Sequence, residues 1–75
     1  MKYEKLTHGR AGQIADCEQI TETYLADLPT RDGQTKLQTT VGVVQVEEGD
    51  WVVEYDDGKI FVWLGGIFEQ NFKKL

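Results

Sequence analysis

Six carboxylates crowd eleven consecutive positions of the chain, Glu47, Glu48, Asp50, Glu54, Asp56 and Asp57, with no base among them. Residues of this type at this density could hold a divalent cation, imitate a phosphate backbone, or dock a basic protein surface. The spacing does not match a calcium loop, because Asp56-Asp57-Gly58 lacks the downstream ligands and the bidentate Glu, so no metal site is expected. Solvation of two hairpin turns and one outward strand position would account for the same acids without any function. His8 could serve as a general base for Cys17 or Thr7, but that chemistry needs a third, orienting group that no motif supplies. The glycines form neither a dinucleotide fingerprint nor a P-loop. With no second layer to form a cleft, the chain is expected to be no enzyme and to need no cofactor.

The elements that must position these residues can be read from hydrophobic periodicity. Ile14, Cys17, Ile20, Tyr24, Leu25 and Leu28 follow helical i, i+3, i+4 spacing, with Asp16, Glu18, Glu22 and Asp27 largely off the stripe. This predicts an amphipathic helix over about 14–27, with Asp16 and Glu18 at the positive end of its dipole and Pro29 and Gly33 stopping it. Residues 5–12 have no clear period, and Tyr3 and Leu6 are expected to tuck a short segment or edge strand against the domain. From Lys36 onward the period changes to two, predicting strands at about 36–41, 43–47, 51–56 and 59–64. After Gly65-Gly66, residues Ile67, Phe68 and Phe72 anchor a short tail over one edge of the core. The expected fold is α+β, one amphipathic helix packed on a three- to four-stranded antiparallel β-meander, forming a single domain over 1–75.

Turn arithmetic then assigns a register. A two-residue turn at Asp57-Gly58 sets Tyr55 against Ile60, Val53 against Val62 and Trp51 against Leu64. The same rule through Glu48-Gly49 and Val41-Gly42 extends one apolar face to Val46, Val44, Thr39 and Leu37, where the helix is expected to pack. On the opposite face Val52 then meets Trp63 and Glu54 meets Phe61. Val43, Val52, Phe61 and Trp63 form an apolar patch on otherwise polar surface. The patch lies under residues 3–12 or the C-terminal tail, is the ordinary apolar surface of a small domain, or is a protein-binding face, since Trp and Phe supply large contact area at interfaces. An exposed edge strand can also pair with a second copy, giving a homo-oligomer.

Length and charge bound the remaining possibilities. The 75 residues carry thirteen acids and eight bases, a net charge of −5, with one cysteine. A domain of this size buries only about 60% of its unfolded surface, so its core is thin. The charge is uneven: eleven acids face only Arg31 and Lys36 over residues 16–57, while both ends are basic. Such a balance argues against direct nucleic-acid binding and against an anionic membrane surface. A lone cysteine fits a reducing cytosol. The start, Met1-Lys2-Tyr3-Glu4-Lys5, lacks the apolar stretch of a signal peptide, and no run suffices for a membrane span, so a cytoplasmic location is expected.

Met1-Lys2-Tyr3, the run from Leu37 to Val53 with Gly49-Asp50-Trp51 in it, Gly58, Ile67-Phe68-Glu69 and the later Phe72 stand in a particular order. In these the chain resembles a family of small, largely uncharacterised bacteriophage and prophage proteins. The likeness covers about the last half of the chain and three N-terminal residues. It departs from the family at Phe61-Val62-Trp63-Leu64, where a Tyr-Pro-Cys-Lys-like run is usual, and over Glu4 to Gly12, where a Lys-Pro-rich strand is usual. The resemblance implies a viral origin and a compact α+β fold, and carries over no catalytic residue.

Together these readings lead to a non-enzymatic, phage-encoded accessory protein that binds and inhibits a host protein in the host-cell cytoplasm, as an anti-defence or host-takeover factor. Val52, Phe61 and Trp63 would anchor the contact, and Glu47, Glu48, Glu54, Asp56 and Asp57 would meet a basic surface on the partner. The alternative is an oligomeric binder of a small ligand or nucleotide messenger, its pocket supplied by subunit interfaces.

Overall fold

The computed structural model describes residues 1–75, in chain order β1 (Lys2–Lys5), β2 (Ile14–Gln19), α1 (Glu22–Ala26), β3 (Thr30–Arg31), β4 (Gln34–Thr39), β5 (Gly42–Gln45), β6 (Trp51–Tyr55), β7 (Ile60–Trp63), α2 (Gly65–Asn71) and β8 (Phe72–Lys74). The chain is α+β: eight strands in two antiparallel sheets, ordered β7-β6-β2-β1-β8 and β3-β4-β5, with two short helices. None of its helices is long and apolar enough to cross a membrane.

The helix expected over 14–27 is a strand for its first half. Ala15 and Cys17 are buried while Asp16 and Glu18 are exposed, which is period-two burial. Ile14, Cys17 and Ile20 fit a helical stripe equally well, so the spacing alone misled. The helical part is only Glu22–Ala26, started by Thr21, whose hydroxyl accepts a hydrogen bond from the Tyr24 N–H at 3.2 Å.

The placement of β2 also breaks the expected meander. Strand β6 pairs with β2, Cys17 opposite Val53 and Gln19 opposite Trp51, instead of with β5. Strand β1 is an interior strand between β2 and β8, which puts Tyr3 in the core and leaves Leu6 exposed. The connection before β6 is tied to the end of β2 by two backbone bonds, Ile20 N–H to the Asp50 carbonyl at 2.7 Å and Gly49 N–H to the Ile20 carbonyl at 2.9 Å.

Two Asp-Gly pairs turn the chain in different ways. Asp32 and Gly33 both have positive φ, 54° and 75°, and make a two-residue turn between β3 and β4. At Asp56-Asp57-Gly58 only Gly58 is left-handed, with φ of 84°, and Gly58 N–H donates to the Tyr55 carbonyl at 2.9 Å. This is a three-residue turn ending in a glycine bulge. The extra residue shifts the hairpin by one: Trp51 faces Trp63, Val52 faces Val62, Val53 faces Phe61 and Glu54 faces Ile60. Phe61 and Trp63 therefore move to the core side of the sheet, and Val52 stays on the other. The β4–β5 hairpin turns at Thr40-Val41, with Thr39 opposite Gly42, so Val41 avoids the positive φ that the sequence-based turn would have imposed.

The larger sheet curls around its core. Tyr3, Ala15, Cys17, Trp51, Val53, Tyr55, Phe68 and Phe72 form one cluster, with Phe61 and Trp63 packed against it. The curl brings opposite edges together: Trp63 on β7 meets Phe72 on β8 edge to face, ring centroids 5.1 Å apart. Helix α2 spans the gap, dropping Phe68 into the interior. The smaller sheet is stitched to the start of β7 by Thr40, whose N–H donates to the Ile60 carbonyl and whose hydroxyl accepts from the Ile60 N–H.

Gly65, the first residue of α2, lies against the connection before β6. A Cβ there would sit 2.7 Å from the Gly49 carbonyl oxygen, a backbone atom that the two connecting bonds hold in place. Gly65→Ala is expected to destabilise by about 1–3 kcal/mol, read from chemical denaturation, although alanine is the better helix former. A Gly66→Ala control, where a Cβ meets nothing within 4 Å, should not.

Candidate functional site

The curl of the sheet stops short of closure, and the unclosed side is a groove of about 520 Å³. Its floor and walls come from Tyr55 on β6, Phe61 to Trp63 on β7, Leu64, and Ile67 on α2; Lys5, His8 and Arg10 line it from β1 and the following loop. Leu64 and Ile67 leave 60% and 47% of their surface exposed there. The volume and the mainly apolar, aromatic lining match small-molecule sites, which run from roughly 300 to 1,000 Å³.

Two cations lie on aromatic faces. The Arg10 guanidinium carbon sits 4.4 Å from the Tyr55 ring centroid and 5.9 Å from that of Phe61. It is held there by the Asp57 carboxylate at 3.0 Å and the Gln13 side-chain carbonyl at 3.2 Å. The Lys5 ammonium lies 5.2 Å from the Trp63 ring and 5.7 Å from Phe72. Lys5 faces inward because β1 alternates: it follows Tyr3 by two residues and sits opposite Phe72 in the ladder. Its ammonium donates to the Thr7 hydroxyl at 2.6 Å and to the His8 carbonyl at 3.3 Å. Thr7 in turn donates to the Asn71 side-chain carbonyl, tying the loop to α2.

The expected site residues do not form one patch. Phe61 and Trp63 line the groove, half-buried, alongside bases instead of acids. Val52 and Glu54 lie on the opposite face, bordering a cleft of about 220 Å³ with Tyr24 and Leu37. The one-residue shift of the β6–β7 hairpin separates them. Val43, the patch's fourth member, is exposed on the smaller sheet beside Arg31 and Lys36. Glu47, Glu48 and Asp56 are exposed in turns. Asp50 accepts from the Glu47 N–H at 3.0 Å, and Asp57 accepts from the Lys59 N–H at 3.1 Å, so these two acids build the turns they occupy. No group of three His, Cys, Asp or Glu side chains is placed to hold a metal ion.

His8 and Cys17 are separated too. His8 lines the groove, while Cys17 is buried and borders the cleft on the other side. Burial pushes the Cys17 thiol up to about 11, leaving almost no thiolate at neutral pH. Burial likewise raises the Tyr55 phenol, against the opposing pull of Arg10.

Asp57 fixes Arg10, which lines the groove, through their ion pair at 3.0 Å. The Lys59 N–H and then the Arg10 guanidinium hold its carboxyl below the ordinary value of 3.8. A carboxyl depressed in the folded state stabilises fully above its unfolded value, and the contribution is lost as pH falls through the lowered one. Asp57→Asn should therefore be less stable than the parent at neutral pH, the two converging below about pH 3.8 in denaturation followed across pH.

Lys5, Tyr55, Leu64 and Ile67 were not legible as site residues, and His8 was legible only as a candidate base. One signal was available: a glycine-bulge turn at Asp56-Asp57-Gly58 would have turned Phe61 and Trp63 inward beside Tyr55. The fold and groove define an α+β domain with an aromatic, base-lined recess. No family model, curated protein or solved structure matches the chain.

Proposed function

We propose that the protein is a non-enzymatic binding module and that the aromatic groove is its recognition site for a small ligand. The observation that carries this is the placement of Lys5 and Arg10 on the faces of Trp63 and Tyr55 around an open apolar recess. One chain forms the recess, so the binding reading does not need an oligomer to build it. The buried Cys17 and the separation of His8 from it speak against nucleophilic catalysis. In a phage-encoded accessory protein, as the sequence resemblance suggests, such a module would sequester a host metabolite or messenger.

A second reading, capture of a basic host protein, is favoured by the exposure of Glu47, Glu48, Glu54 and Asp56. Native mass spectrometry on protein purified from its own cellular setting separates the two. The groove reading predicts a small-molecule adduct that is lost on Trp63→Leu. Protein free of adduct, but captured by a basic partner and released by Glu47→Gln with Glu48→Gln, would favour the second reading.

A further inference from the structure

We infer that the groove's ligand is a planar aromatic ring carrying a phosphate or carboxylate, with the anion at Lys5 and the ring against Phe61 and Trp63. This rests on the groove being the recognition site. Lys5 is only 4% exposed, yet its ammonium has no carboxylate partner: the two ion pairs of the molecule are the terminal amine with Asp16 and Arg10 with Asp57. An ammonium carries three donors, and the two acceptors it meets, the Thr7 hydroxyl and the His8 carbonyl, are both neutral. A buried charge left without a counter-ion is costly, and the faces of Trp63 and Phe72 offset only part of that cost. An anion entering the groove would supply the missing charge.

Arg10 plays a different part. Its charge is already met by Asp57, and its guanidinium lies over Tyr55, so it walls the recess. Between the two cations the exposed surfaces of Phe61, Trp63, Leu64 and Ile67 offer flat apolar area for a ring. The net charge of −5, with Asp57 paired to Arg10, disfavours a long polyanion and leaves a small molecule as the occupant.

The test is titration of the intact protein, followed by side-chain resonances of Lys5, Phe61 and Trp63. Four probes are used: adenosine 5′-monophosphate and neutral adenosine for the phosphate arm, indole-3-carboxylate and neutral indole for the carboxylate arm. In at least one arm the anion should bind about tenfold or more tightly than its neutral counterpart, with a preference that weakens as salt rises. Lys5→Met should abolish the preference without abolishing binding of the neutral ring. The arm that responds identifies the anion. Neutral and anionic probes binding alike would overturn the inference and leave the groove reading standing. No probe perturbing Phe61 or Trp63 would overturn both. If Lys5→Met does not fold, the anion-to-neutral ratio and its salt dependence in the parent protein decide alone.

Discussion

Phe68→Ala is expected to remove about 3–5 kcal/mol of stability and to leave little cooperative unfolding transition. Phe68 is 1% exposed and stacks between Trp51, 4.1 Å and 6° away, and Phe72, 4.6 Å and 11° away, with the edge of Tyr3 at 5.1 Å. Only 12 of 75 residues are buried, so no second cluster compensates for its loss. At roughly 0.05–0.15 kcal/mol per residue the whole domain holds about 4–11 kcal/mol, and one truncation consumes much of that. The loss also spreads. Helix α2 has seven residues and no side-chain cap at Leu64, too short to persist unless Phe68 pins it. Its release would free β8 and Phe72 and open the groove. Phe68→Leu, which keeps much of the volume but loses the stacking, should cost about 1–2 kcal/mol. Near-ultraviolet circular dichroism during urea unfolding reads both, and a Phe68→Ala loss below about 1 kcal/mol would contradict this account of the core.

Lys5→Met is expected to leave stability nearly unchanged. Methionine keeps the length and apolar stem of lysine while removing a buried charge that meets only neutral acceptors and ring faces. Replacing a buried ion pair by apolar side chains of similar volume is often neutral or stabilising by about 1–4 kcal/mol, and removing a lone buried ammonium likewise relieves a desolvation cost. Set against that are a cation–π contact worth about 0.5–2 kcal/mol and two hydrogen bonds worth about 0.5–1.5 kcal/mol each, so the terms nearly cancel and Lys5→Met is expected to lie within about 1 kcal/mol of the parent. Lys5→Glu should instead cost about 3–5 kcal/mol, because it buries an unpaired carboxylate against the electron-rich faces of Trp63 and Phe72. Urea denaturation of the three proteins checks that Met and Lys lie together, well above Glu. A residue whose loss leaves the fold intact and weakens binding is held for function. A Lys5→Met protein less stable than its parent by more than about 1 kcal/mol would make Lys5 a structural ion.

The strand-rich second half was legible because alternation there is strong. Residues 51–56 and 59–64 were read as strands, and Trp51–Tyr55 and Ile60–Trp63 are strands. Their relative register was not legible, for a definite reason: Ile60-Phe61-Val62-Trp63 is apolar at every position, so either parity places hydrophobic residues on the core face. Only the turn could decide, and Asp57-Gly58 reads the same in a two-residue turn as at the end of a three-residue one. Local turn arithmetic also could not foresee that β2 would take the edge of β6 that β5 was assigned. That pairing joins residues more than thirty positions apart, and its hydrophobic signal, Ala15 and Cys17, is slight. The groove depends on both features. Lys5 is an inward residue only on an interior β1, and Phe61 and Trp63 line the recess only in the shifted register. Of the acids, Asp56 and Asp57 stand in the β6–β7 turn and Glu54 faces outward on β6 as read, whereas Glu47, Glu48 and Asp50 lie in the connection between the two sheets and not in a hairpin.

We propose the groove, and not the acidic turns or the small sheet, as the place where this protein meets its ligand. The most direct measurement is a nitrogen-15 and carbon-13 chemical-shift map of the intact protein, recorded with and without the small-molecule extract of the cells that make it. Shifts are expected at Lys5, His8, Arg10, Phe61, Trp63 and Ile67, with Val43, Val52 and Glu54 unmoved. Shifts at Val43, Val52 or Glu54 with the groove unmoved would contradict it.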